Sequence, residues 1–159
     1  MFPFTIKFEE NISIDLNKIG VENVLNLIKE NTITESNKKV KEIEIKDNTL
    51  RFRIGFAAAS MYNDFYSVIK GEFNISLEND VTILTYKYLI GNDIYLPVGA
   101  FSLLAFISLL VDKNQDNYRF KIPILFVLIW GFLVWLAALL HQYLFFRRIV
   151  KRIEEKWVY

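Results

Sequence analysis

The sequence predicts an α+β membrane protein: a small antiparallel sheet with one packed helix, then a two-helix transmembrane hairpin and a C-terminal amphipathic helical tail. Three observations predict it. Residues 4–90 alternate period-two segments with a single helical segment. Ile94–Val111 runs 18 residues without a charge, and Ile122–Phe146 runs 25 without an acid, a lysine or an arginine. A bilayer core of ~30 Å needs ~20 helical residues at ~1.5 Å rise, so both runs read as membrane spans. Five bases then follow the second run directly, at Arg147, Arg148, Lys151, Arg152 and Lys156.

Phe4–Phe8 alternates apolar and polar residues and predicts a half-buried strand. From about Asp15 the period changes. Val21, Val24, Leu25, Leu27 and Ile28 fall within about 160° of a helical wheel, which predicts a helix near 18–31 with Asp15 or Asn17 as its N-cap. Asn31–Asn37 reads as a polar loop. Val40–Lys46 and Thr49–Phe56 predict a hairpin around Asp47-Asn48. In its second arm Leu50, Phe52, Ile54 and Phe56 point one way and Arg51 and Arg53 the other. Small residues at Gly55–Ser60 end that pattern. Phe65–Ser76 reads as a longer strand, with Gly71 as a bulge or a site of close approach. Glu78-Asn79-Asp80 turns the chain into a last strand, Val81–Ile90, whose Thr82, Thr85, Tyr86 and Tyr88 suit a sheet. The order is β-α-β-β-β-β.

The organisation expected is a cytoplasmic domain over 1–91, a transmembrane hairpin over 92–146 with spans at about 94–111 and 122–146, and a basic amphipathic tail over 147–159. Pro97 and Pro123 fall in first helical turns, where the missing N–H does no harm. Lys and Arg near the span ends number six on the terminal side and three (Lys113, Arg119, Lys121) in the connecting loop. The positive-inside rule then places both termini in the cytoplasm of a multi-pass inner-membrane protein. Residues 1–20 hold Lys7, Glu9, Glu10 and Asp15 and no apolar core of a signal peptide.

Composition excludes several chemistries. The chain has no cysteine, so disulfides, thiolate metal sites and cysteine nucleophiles are out. It has one histidine, His141, too few for a histidine-cluster metal site. No phosphate-cradling glycine loop is present. Residues 1–93 carry 11 Lys+Arg against 14 Asp+Glu, which argues against nucleic acid as a partner. Catalytic residues and cofactors are accordingly expected to be none, and no enzyme activity is expected.

Three groups of positions stand out. Within the second run His141 and Gln142 are the strongly polar residues. An ionisable group inside a span suggests an ion path, whereas the bland reading puts His141 at the headgroups. Gly131, Trp135, Ala138 and Gln142 share one helix face, and Gly99, Ser102 and Ala105 make a small-residue strip on the first span. Such strips let membrane helices approach closely, either within the hairpin or by self-association or docking to another membrane protein. In the tail, Phe145, Ile149, Ile153 and Trp157, with Phe146 and Val150, cover about 140° of a wheel. Arg147, Arg148, Lys151 and Arg152 fill the rest. That tail fits either packing against the domain or lying on anionic lipid.

Residues 62–73, Tyr-Asn-Asp-Phe-Tyr-Ser-Val-Ile-Lys-Gly-Glu-Phe, followed by a strand leading into two spans, resemble small two-transmembrane proteins of Bacteroidetes and low-GC bacteria with an N-terminal α+β domain. There a Tyr-x-Asn-Ser-Phe-x-Pro-x-Ile-x-Gly stretch precedes the final strand. Asn63, Phe65, Ile69 and Gly71 match it, while Asp64 replaces the serine and the proline is absent. The resemblance covers residues 40–111 and implies an architecture but no activity. The function expected is a non-enzymatic membrane protein whose cytoplasmic domain binds a protein partner in an accessory or assembly role, where an exposed final strand would extend a partner's sheet. The alternatives are an oligomeric effector or channel gated by that domain, as in antiphage defence, and an immunity protein against a membrane-acting toxin.

Overall fold

The alternating segments pair as the sequence leads one to expect. The computed structural model describes residues 5–36, 40–54, 68–90 and 118–157. Five strands, β1 (Thr5–Ile12), β2 (Val40–Lys46), β3 (Thr49–Ile54), β4 (Val68–Glu78) and β5 (Val81–Ile90), form one antiparallel sheet in the order β1-β5-β4-β3-β2. Among the described residues three helices accompany them: α1 (Leu16–Ile19), α2 (Val21–Glu35) and α3 (Tyr118–Trp157). The α+β class expected from the sequence therefore holds. The first expected span, 94–111, lies outside the described residues, as do residues 62–67 of the motif.

The chain divides into two units. One comprises Met1–Ile90 with His141–Tyr159, the other Gly91–Leu140. In the first unit one face of the sheet is apolar. It carries Leu50, Phe52 and Ile54 on β3, Phe73 and Ile75 on β4, and Leu84, Tyr86 and Tyr88 on β5, all buried. The opposite face is charged and wet. There Arg51 pairs with Glu72 at 2.8 Å and Arg53 with Glu42 at 3.8 Å, both across neighbouring strands. Exposed pairs of this kind contribute ~1 kcal/mol or less each.

The two hairpin turns follow from side-chain chemistry. Asn79 and Asp80 both adopt positive φ, 50° and 64°. That is the left-handed pair needed by a tight turn whose twist matches the strands. Asp47 does the same at 53° between β2 and β3. Asn and Asp tolerate this region better than other non-glycine residues.

Gly71 is a close-approach site. It sits in register with Phe52 on one side and Tyr88 on the other. A Cβ there would overlap the Phe52 ring. The Phe52 ring thus occupies the space over a residue that has no side chain. The irregularity in strand pairing falls beside it, between Val68 and Lys70.

Four details differ from the sequence expectation. The single helix near 18–31 is two helices. Asp15 caps α1 by accepting from the Asn17 N–H at 3.1 Å, and Gly20, at φ 81°, breaks the axis before α2 begins. Second, Asn31–Glu35 is helical rather than looped. Its polar side chains bond back up the helix, Asn31 to the Leu27 carbonyl and Thr32 to that of Ile28, both at 2.8 Å. This is how Thr and Asn are accommodated inside helices. Third, β5 is an interior strand between β1 and β4, so the sheet's edges are β1 and β2. Fourth, α2 is not alone on the sheet. Val24, Leu25, Ile28 and Thr32 of α2 are buried, with contacts to β2 and β3, and the last turns of α3 cover the rest of that face.

Candidate functional site

The distinctive construction in the first unit is the docking of α3. From Gln142 onward the buried positions are Gln142, Phe145, Phe146, Ile149, Val150 and Ile153. Their spacing of three and four residues is one helical face. That face meets an aromatic row on the sheet. The Phe145 ring stands edge-on to Phe73 and Tyr86, with centroids at 6.1 and 5.9 Å. Phe146 stacks on Phe8 at 5.9 Å. Phe73 and Tyr86 stack on each other at 4.4 Å. Offset and edge-on rings of this kind contribute ~0.5–1.5 kcal/mol per pair beyond the area they bury. Of the two readings of the tail, packing against the domain is the one the structure displays for its apolar face.

A polar contact crosses that apolar layer. The Tyr86 hydroxyl donates to Gln142 Oε1 at 3.0 Å, with both residues buried. A buried amide without such a partner costs ~1–3 kcal/mol, so the pair fixes both the rotation and the axial position of α3 on the sheet. Burial pushes the Tyr86 phenol well above its usual range, and neighbouring Tyr88 adds to the effect.

Around this layer runs a ring of ion pairs. Arg147 donates to Glu10 on β1. Arg148 and Arg152 both reach Glu35 at the end of α2, at 3.4 and 3.3 Å. Arg152 also donates to the Asn31 side chain. The Glu10 carboxylate raises the Arg147 guanidinium, through the hydrogen bond first and its charge second. The α3 segment is thereby tied to both β1 and α2. Sequence reading missed Glu10, Asn31 and Glu35 as partners of the tail. The available signal was that Asn31 and Glu35 stand four residues apart, a spacing that matches Arg148 and Arg152.

The expected site residues fall as follows. Gly131 and Ala138 are buried and Trp135 half-buried, 6.0 Å from the Phe132 ring. Gln142, on the same helical face, is bonded to the sheet. Gly99, Ser102 and Ala105 lie outside the described residues. Trp157 is half-buried, with Lys156 Nζ 5.0 Å from its ring centroid. His141 is exposed. It lines an open groove of about 500 Å³ together with Arg147, Arg148 and Lys151, and with Glu10 and Glu154. The groove thus brings three basic side chains, Arg147, Arg148 and Lys151, together with two carboxylates, Glu10 and Glu154. Among the described residues no group of three His, Asp or Glu is placed to hold a metal ion.

The outward side of α3 is oily over a long stretch. Ile129, Trp130, Phe132, Leu133, Leu136 and Leu140 expose about half or more of their surface, Trp130 as much as 60%. Large exposed patches of this kind mark contact with a partner or a membrane. Among the described residues one helix, Ile129–Trp157, is long and apolar enough to cross a bilayer. Membrane association is supported to that extent by length and composition.

A scan against protein-family models gives no match, and searches of the curated proteins and of the solved structures return none either.

Proposed function

We propose that the protein is a two-span inner-membrane protein with both termini in the cytoplasm, whose α+β domain binds a protein partner in an accessory or assembly role. One observation carries the reading. Helix α3 is oily on its exposed side through Tyr143 and Leu144 and basic from Arg147 on, while its buried side from Gln142 is part of the domain core. A helix that is apolar where it is exposed and basic just beyond fits a span that leaves the bilayer on the cytoplasmic side. The domain would then be held at the membrane by its own core helix. The partner surface is the edge of the sheet at β2, where an extended segment would add a strand.

Alkaline carbonate extraction should leave the protein in the membrane pellet, and release into the supernatant would end the proposal. A phosphatase fused after Tyr159 should stay inactive in cells and a fluorescent protein at the same place should glow. A photo-crosslinker at Glu44 on β2 should yield a discrete adduct of higher mass. An unmodified band alone, with the membrane localisation intact, would remove the partner assignment and leave the anchor.

A further inference from the structure

We infer that the groove beside α3 binds the phosphodiester headgroup of an anionic phospholipid. The inference rests on the membrane reading above and assigns a ligand to a surface within the first unit. Tyr143 and Leu144 are 44% and 48% exposed and carry no charge. Arg147, Arg148 and Lys151 follow three, four and seven residues after Leu144, so they continue the same side of the helix. At ~1.5 Å per residue the arginines lie ~5 Å and the lysine ~10 Å further along the axis than Leu144. The headgroup layer is ~5–8 Å deep on each side of a bilayer. The arginines therefore stand at the depth of the phosphates when Leu144 meets the acyl boundary, and the flexible lysine stem starts at the outer edge of that layer and can reach back to it.

Geometry favours a bound headgroup over a diffuse attraction. The groove is concave and about 500 Å³, and His141 stands nearly two turns before the arginines on its wall. Each base is oriented by a carboxylate: Arg147 by Glu10, Arg148 by Glu35, and Lys151 by Glu155 at 3.5 Å. Their side chains nevertheless remain 51%, 45% and 74% exposed. A guanidinium has five N–H donors, so the bond from Arg147 to Glu10 engages only part of its fork. The acids hold the basic tips in place without covering them.

The test uses the purified full chain in detergent micelles, with native mass spectrometry to count bound phosphatidylglycerol and phosphatidylcholine added in equal amounts. Wild type should retain phosphatidylglycerol about fivefold or more over phosphatidylcholine, since one base near an anionic surface contributes about that factor. Lys151→Gln should cut the preference several-fold, and Arg148→Gln/Lys151→Gln should abolish it. Arg51→Gln/Arg53→Gln toward the far edge of the sheet, on its opposite face, should leave it unchanged. Melting temperatures of all variants separate lost binding from lost folding, and Lys151→Gln, whose acid partner lies on its own helix, is the decisive one. Equal retention of the two lipids by wild type overturns the inference, as does an equal loss in the far-edge control. Inorganic phosphate competing at millimolar concentration as well as the lipid does overturns the assignment to a lipid. Release of the chain by carbonate extraction overturns the membrane reading itself, so the two failures are distinguishable.

Discussion

The contact between Tyr86 and Gln142 supports the sharpest test of how α3 is used. The hydroxyl donates to the amide oxygen at 3.0 Å inside a layer of rings that excludes water. Tyr86→Phe removes the donor and leaves the amide oxygen buried, which costs ~1–3 kcal/mol. Gln142→Leu leaves the hydroxyl buried among Phe73, Phe145 and Phe146 and costs a similar ~1–3 kcal/mol. The double variant orphans neither group of the pair. Its loss should therefore be smaller than the sum of the singles by ~1 kcal/mol or more. For a domain of roughly this size 1 kcal/mol moves the melting temperature by about 4–8 °C. The assay is thermal unfolding of the full chain in mild detergent, followed by circular dichroism at the strand signal, on the four members of the cycle. If α3 left the sheet in solution, Gln142 would be solvated or in detergent. The two losses would then simply add. Additivity within about 0.3–0.5 kcal/mol would refute the docking geometry on which the rest depends.

The remaining expectations are independent of that cycle. Stability should fall in alkali. The folded Tyr86 phenol is raised above its unfolded value near 10, so its contribution is complete below about pH 10 and is lost as pH rises toward the folded value. Tyr86→Phe should flatten that limb of a pH–melting curve, and an unchanged slope would reject the burial argument. Gly71→Ala should destabilise by ~1–3 kcal/mol, because the new methyl overlaps the Phe52 ring. Gly71→Ala/Phe52→Leu should recover part of the loss in the same melting assay. Glu35→Gln weakens the pairs with Arg148 and Arg152 and should cost ~1 kcal/mol or less, with the difference shrinking in high salt. A loss of several kcal/mol would mean that Glu35 is a core residue rather than a surface clasp.

Local structure was legible in the sequence and sheet order was not, and the physical reason is range. Leu50, Phe52 and Ile54 announce a half-buried strand because alternation is written within a few residues. Asn79-Asp80 announces its turn because two adjacent side chains tolerate positive φ. The pairing of Phe8 with Tyr86 joins residues far apart in the chain, and no local signal encodes it. Hence β5 reads as a terminal strand in the sequence and lies in the interior of the sheet in the structure. The polar run Asn31–Glu35 misleads for a different reason. Asn and Thr favour loops when their side chains compete with the backbone, but here those side chains bond within the helix.

The tail posed the hardest ambiguity, and its resolution explains why the groove is where it is. A helix with one apolar face loses the same water whether that face meets lipid or protein, so hydrophobic patterning alone cannot choose between them. Polar residues within the face do choose. Lipid offers nothing to a glutamine side chain, whereas a sheet can present a hydroxyl. Gln142 is that residue, and Tyr86 is the hydroxyl. Once the pair fixes the rotation of α3, the side opposite the sheet is determined as well. Leu144, Arg147, Arg148 and Lys151 must then face outward, with Glu10 and Glu35 close enough to steer the arginines. The basic surface is thus a consequence of the core contact. A variant that rotates the helix, such as Gln142→Leu, should weaken phosphatidylglycerol retention without altering a single charge. Retention at the wild-type level in that variant, alongside the expected loss of stability, would show that the outward face is set by something other than the core.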